Sequence, residues 1–330
     1  MEKTMYSFSN IADYMRCPWL YQAKNVRRLE RIGFNIPRER GTWFHSVKME
    51  EALGMTWQDA HAVLTADFDA NIRPFTYDES ILAMPDELTR ILEAYEARYY
   101  DDKWETESVE ESYAFQLPNK VWIGITPDYV IRDSLGGVWC VDYKTVGILP
   151  PVGQNIVDLQ HTTYSLGLSK IYGADFKGFI FDYVRTKPPT QPRLTKDGSR
   201  IAYLDRLDTN YETLLDFVHD NGLHHSPEIT DKLARLHGEQ KFFRRDYFIL
   251  PHAGLEQTER ELIYWTNRMQ EDEKTGIYGR VPLGQYAGAK ACVRCPMQLI
   301  CQTELLGFST EGAMLEYKDR EPLNRDYKEV

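Results

Sequence analysis

Apolar residues recur at helical spacing before about residue 105 and then give way to short runs rich in Val, Ile, Tyr and Trp. Ser9-Asn10 caps a predicted helix over 9–24, with Ile11, Tyr14, Met15 and the Trp19-Leu20-Tyr21 group on its apolar face. Pro18 lies inside that helix and predicts a break or restart. Further helices are predicted over 39–53, 56–70 and 85–104. Runs at 109–117, 121–131 and 138–143 then predict three strands in a hairpin meander, punctuated by Pro118-Asn119 and Ser134-Leu135-Gly136-Gly137. A helix over 155–172, closed by Gly173, and a strand over 176–184 follow. The Pro-, Lys- and Thr-rich residues 186–200 read as a loop. Helices are predicted over 211–221, 230–239 and 255–273, with a strand over 242–250. After Gly307 the chain is polar and charged and is expected to be loosely held.

A chain of 330 residues is long enough for one large domain or two modest ones. No apolar run approaches the roughly 18 residues of a membrane span, and the first residues carry no apolar signal region. A cytoplasmic location is therefore the default expectation, with no membrane partner. The net charge of −11 weighs against a generic nucleic-acid binder, because phosphate contacts need clustered cations. Clusters do exist at 16–40, 185–200 and 241–245, each readable as a solvated face or as a phosphate contact. An acidic balance also suits a site whose carboxylates hold a divalent metal.

The central stretch contains Pro127-Asp128, then thirteen residues, then Asp142-Tyr143-Lys144. On the strand reading, Asp128 and Asp142 lie on adjacent antiparallel strands, and Asp142 and Lys144 share a face. Two carboxylates and an amine on one face suit phosphodiester hydrolysis. The carboxylates can hold Mg²⁺, the metal lowers the pKa of a bound water, and the lysine can offset charge on the phosphate. The backbone carbonyl of Tyr143 is a further candidate ligand. Asp-x-Lys alone occurs often by chance and equally describes an ordinary charged strand. Gly41-Thr42-Trp43-Phe44-His45 opens a helix and supplies a histidine, although a lone histidine there is usually structural. Gln160 and Tyr164, at i and i+4, share a helix face and can donate to DNA phosphates or simply line an exposed surface.

Taken in order, Gly41 with His45, Gly124 with Asp128, Asp142 with Lys144, and Gln160 with Tyr164 resemble the RecB-type branch of the PD-(D/E)XK nucleases. The similarity covers about 6–183 and resumes near 286–306. It implies that His45, Asp128 and Asp142 bind Mg²⁺ or Mn²⁺, that Lys144 is catalytic, and that Gln160 and Tyr164 guide DNA. It also implies an α/β, restriction-endonuclease-like core with a mixed sheet flanked by helices.

Five cysteines with no secretion signal argue against a disulfide framework. Cys17 stands alone near the N-terminus, and Cys292, Cys295 and Cys301 form C-x2-C-x5-C far downstream. Four thiolates can hold a [4Fe–4S] cluster or Zn²⁺. The one-plus-three split resembles the iron–sulfur nucleases of the AddB and CRISPR-adaptation type. It would tie an N-terminal helical part to the C-terminal segment, with a stabilisation of several kcal/mol, on the order of a long-loop disulfide. Cys140, between Trp139 and Val141, reads as a buried apolar residue.

The expected organisation is an N-terminal helical part (1–105), a nuclease core (106–185), an insertion without an assignable motif (186–240), a C-terminal strand, helix and three-cysteine segment (241–306), and a polar tail (307–330). The expected activity is a Mg²⁺- or Mn²⁺-dependent deoxyribonuclease, an exonuclease favouring single-stranded DNA ends, in replication, recombination or repair. Arg27 and Arg28 are expected along the strand path. No Gly-x-x-x-x-Gly-Lys-Ser/Thr loop is present, so a helicase or recombination partner would supply any motor. The competing readings are a flap-type endonuclease and a non-catalytic iron–sulfur DNA-binding scaffold.

Overall fold

The computed structural model describes residues 4–102, 104–223, 226–281, 292, 295–321 and 325–330. The chain opens with β1 (Met5–Ser7), α1 (Phe8–Arg16) and α2 (Pro18–Tyr21), runs through a π-helical turn, and forms β2 (Leu29–Arg31). Helices α3 (Ile36–Ala52), α4 (Trp57–Asn71), α5 (Glu79–Leu82) and α6 (Met84–Tyr99) follow. Next come β3 (Glu105–Val109), β4 (Tyr113–Gln116), β5 (Trp122–Ile125), β6 (Tyr129–Arg132), β7 (Val138–Val146), α7 (Leu159–Tyr172) and β8 (Phe176–Arg185). The rest is α8 (Tyr211–Asp220), α9 (Pro227–His237), β9 (Phe243–Phe248), α10 (His252–Thr275), α11 (Gln298–Leu305), α12 (Glu311–Met314), β10 (Tyr317–Asp319) and β11 (Lys328–Glu329).

The expected mixed α/β core is present. Its sheet has the order β3-β6-β7-β8-β9, with β7 and β8 parallel and the other neighbours antiparallel. Parallel pairing of consecutive strands requires a crossover, and α7 supplies it. Alternation along β7 and β8 sends Cys140, Phe179 and Phe181 into one core cluster, and Val141 and Ile180 into another. The first cluster is shared with Leu168 of α7 and Leu262 of α10. Opposite, Phe44 of α3 and Leu92 and Tyr95 of α6 pack with Val184.

The predicted meander is not a single sheet. β4 and β5 form a hairpin in a separate sheet of order β1-β5-β4-β11. The predicted strand 121–131 therefore breaks at Thr126-Pro127-Asp128, and Asp128 lies in the break rather than on a strand. Its counterpart break is Glu110, whose φ of 48° is left-handed and cannot continue a strand. The two bends are joined where the Glu110 amide donates to the Asp128 carbonyl at 3.0 Å.

Three smaller expectations also change. The helix predicted over 85–104 stops at Tyr99, and an exposed edge strand, β3, begins at Glu105, ahead of the strand predicted from 109. The first helix is capped by Ser7, whose side chain and that of Asn10 form a capping box, rather than by Ser9-Asn10. The break at Pro18 is present, with Cys17 extended at φ −170°. The tail expected to hang loose is instead paired, β10 with β2 and β11 with β4. Tyr327 explains one glycine, since a Cβ on Gly124 would fall 2.7 Å from its ring. Within 186–240, Ile201, Leu214, Val218, Ile229 and Leu236 form a small core of their own.

Candidate active site

Helix α3 approaches β7 so closely that a Cβ on Gly41 would sit 2.9 Å from Thr145 Oγ1, and one turn later the helix presents His45. His45 Nε2 lies 3.6 Å from Asp128 Oδ1 and 3.8 Å from Glu110 Oε1. On β7, Asp142 is only 2% exposed, and its Oδ2 lies 2.6 Å from Lys144 Nζ. Gln160, at the start of α7, bridges these two. Its Nε2 donates to Asp142 Oδ1 at 2.7 Å, and its Oε1 accepts from Lys144 Nζ at 2.9 Å. The helix is aimed by Asp158, whose side chain accepts from the Gln160 amide at 2.7 Å.

Burial dominates the electrostatics. It pushes the Asp128 carboxyl up to about 8, with Asp142 and Glu110 adding repulsion, Lys144 opposing, and the Tyr143 amide also stabilising the charged form. Burial likewise raises Asp142, against the pull of Lys144 and His45. His45 is lowered by burial, despite Glu110 and Asp142. For Lys144, burial lowers the pKa, but Asp142 and Asp128 outweigh it and the net direction is up.

Crowded buried carboxylates beside a neutral imidazole are the environment a divalent cation relieves. As they stand, no three His, Cys, Asp or Glu side chains among the described residues are drawn tightly enough to enclose a metal ion. The donor set nevertheless fits one. His45 Nε2 is a buried atom with no hydrogen-bond partner, and it faces two carboxylates. Closing those separations by roughly half an ångström to one ångström would give neighbouring ligands at the ~2.1 Å bond lengths of an octahedral ion. Glu110 was missed by sequence reasoning. Its only signal there is the polar Glu-Glu-Ser stretch inside the run 109–117 read as one strand, and its position depends on the left-handed bend.

The expected Gln160–Tyr164 pair divides. Gln160 directs both amide atoms at Asp142 and Lys144 rather than at solvent. Tyr164 is 9% exposed and packs against Phe8 and Phe179, so it supports the site from beneath. Tyr143 turns its ring to the opposite face, against Phe44 at 5.9 Å. Arg27 and Arg28 are not brought to this centre. Arg27 pairs with Glu304 at 2.6 Å, and Arg28 donates to the Arg320 carbonyl at 2.7 Å. Both bind the N-terminal segment to the C-terminal one.

The cysteines also meet across that junction. Cys17, Cys295 and Cys301 border a cluster of Trp19, Leu20, Met297 and Ile300. Burial raises the Cys295 thiol, with Cys17 and Cys301 adding to it. Burial raises Cys301 as well, with Cys17 and Cys292 as neighbouring charges and Arg280 opposing. Cys292 is linked in this way only to Cys301, and Arg280 Nε donates to Cys301 Sγ at 3.3 Å. A donor set of four thiols fits a thiolate-bound cluster or a zinc ion. Residues 286–291 and 293–294 of the resembling C-terminal stretch lie outside the described residues.

The sequence matches the PD-(D/E)XK nuclease superfamily over residues 5–302. Among solved structures, it is similar to a presumptive exonuclease from Eubacterium rectale, at 12% identity and a TM-score of 0.45 over 84% of each chain. It is also similar to the protein SSO0001, at 15% identity and a TM-score of 0.33 over 91% of this chain and 87% of that one. No curated protein matches it.

Proposed function

The chain belongs to the PD-(D/E)XK nuclease superfamily, and from that premise we propose that it is a metal-dependent deoxyribonuclease that trims single-stranded DNA from an end. The observation that carries the reading is the arrangement around Asp142, a buried carboxylate held between Lys144 and Gln160, with His45 and Asp128 nearby. His45, Asp128 and Asp142 would hold Mg²⁺ or Mn²⁺, with Glu110 and the Tyr143 carbonyl close by. Bound there, the ion supplies an acidified water and a polarised phosphate. Lys144 offsets the charge that builds on the phosphate and orients the attacking water. Gln160 keeps Asp142 and Lys144 in register. The four cysteines would carry a [4Fe–4S] cluster as a structural tie, with Zn²⁺ as the alternative occupant. The expected setting is replication, recombination or repair, beside a helicase or recombination partner.

The test is cleavage of end-labelled linear single-stranded DNA and of a closed single-stranded circle. Anaerobically purified protein is assayed with Mg²⁺, Mn²⁺ or EDTA, beside Asp142→Ala. Metal-dependent loss of the linear strand alone, absent in the variant, is expected. Equal cutting of the circle would replace the exonuclease with an endonuclease. Cleavage that persists in Asp142→Ala would overturn the site.

A further inference from the structure

For a chain of net charge −11, the most unexpected surface is a cavity of about 720 Å³ lined by Lys24, Arg31, Arg38 and Arg320, with Glu30 as the acidic member. Glu30 is itself neutralised, lying 3.6 Å from Arg38 and 3.7 Å from Lys318. Lys24 is paired with Asp13 at 2.7 Å and Arg38 with Glu39 at 2.8 Å. Arg31 makes no ion pair among the described residues and is exposed. The floor is the turn from β2 into α3, where Gly33 has φ 141° and open space where a Cβ would stand. Phe34 offers a ring at the edge, 37% exposed.

The cavity is built by both ends of the chain. β2 is held by β10, and Cys295 to Gln298 close one side. Arg27 and Arg28 fasten this junction, and Arg320, which lines the cavity, donates from Nη1 to Asn25 Oδ1 at 3.1 Å. Its position relative to the reaction centre is set by α3. Arg38 and His45 are seven residues apart on that helix, a rise of about 10 Å.

We propose that this cavity holds the phosphate backbone of the single DNA strand beyond the phosphate at His45, along the strand that α3 spans. The proposal rests on the nuclease reading above and deepens it. Binding there is electrostatic and indifferent to sequence. It also sets a minimum substrate length, because shorter strands reach the reaction centre without reaching the cavity.

The test measures anisotropy of labelled oligothymidylates of two to twelve nucleotides in EDTA, across a range of KCl, with the full-length holoprotein. Wild type should show a stepwise rise in affinity at the length, above two nucleotides, where a strand first spans both sites. The slope of log affinity against log salt should fall by about 1.4 in Arg31→Ala/Arg38→Ala, for two lost contacts at ~0.7 each. The paired lysine variant should keep the slope, which separates charge from misfolding. An unchanged slope in the alanine variant, or no length threshold in wild type, would overturn the proposal. Hydrolysis of bis(p-nitrophenyl) phosphate by wild type but not by Asp142→Ala reads the reaction centre alone, so the two proposals fail separately.

Discussion

Gln160 donates through its side-chain amide to Asp142 Oδ1 at 2.7 Å, and this contact fixes which way the amide faces. Its oxygen is thereby turned to Lys144, so one neutral side chain orients both an anion and a cation. Gln160→Ala should lower kcat by about 10–100-fold with little change in KM, as loss of an outer contact to a metal ligand typically does. Steady-state kinetics on a single-stranded oligonucleotide decide the matter. A raised KM with unchanged kcat would mean that Gln160 binds DNA instead.

The raised carboxyl of Asp128 has a consequence for metal-free protein. Its folded pKa of about 8 exceeds the ordinary carboxyl value, so the folded state binds the extra proton. Stability from this group is complete below the unfolded pKa, near 3.9, and is lost as pH rises toward about 8. In EDTA, urea midpoints should fall between pH 5 and pH 8, by an amount that Asp128→Asn reduces. An identical pH trend in the variant would contradict this.

Glu110 reaches toward His45 from a left-handed bend, a conformation that costs about 1 kcal/mol or more for a residue with a side chain. Glu110→Gln should weaken Mn²⁺ binding by about tenfold, read from the free-ion signal in electron paramagnetic resonance. Glu110→Gly should relieve the backbone and still lose the affinity. Wild-type affinity in both would show that the bend serves only the fold.

On the other face of the sheet, Asp182 is fully buried. It accepts from Arg245 at 2.7 Å and from the Tyr95 hydroxyl at 2.6 Å. The guanidinium lies over Tyr99 at 3.6 Å and Trp104 at 4.2 Å. Arg245→Met leaves that carboxylate without its cation and should cost about 3–5 kcal/mol in urea unfolding. Adding Asp182→Leu should recover much of the loss, and no recovery would count against the pair as its cause.

Cys17→Ser should abolish bound iron and sulfide and lower the thermal midpoint. About four irons per chain in wild type would support the cluster, whereas about one zinc would support the alternative. Metal analysis beside the unfolding curve checks both.

Much of this was legible in the sequence, and the exceptions share a cause. β7 and β8 were visible because Val138-Trp139-Cys140-Val141 and Phe179-Ile180-Phe181 are dense apolar runs between turns, so local pattern and final burial agree. The helix bearing His45 was also visible, and the strand bearing Asp142 was read to Tyr143, one residue short of Lys144. β3 was not, because Glu105-Thr106-Glu107-Ser108 is an exposed edge whose strand character comes only from pairing with β6. β1 and β11, at three and two residues, likewise exist through their partners. Asp128 was identified, but its setting was not, since the break around Pro127 is matched by a bend at Glu110 seventeen positions earlier.

The pairing of β2 with β10 also has a meaning in time. Leu29 meets Asp319, so an early strand waits for one made much later. At ~5–20 residues per second, a ribosome takes on the order of tens of seconds to supply that partner. Through that interval the sheet bearing Asp142 can assemble, while the ribbon that holds β2 beside the basic cavity remains incomplete. A nascent chain would thus carry its chemistry before its grip, and it would gain a hold on long strands only once β10 has been made.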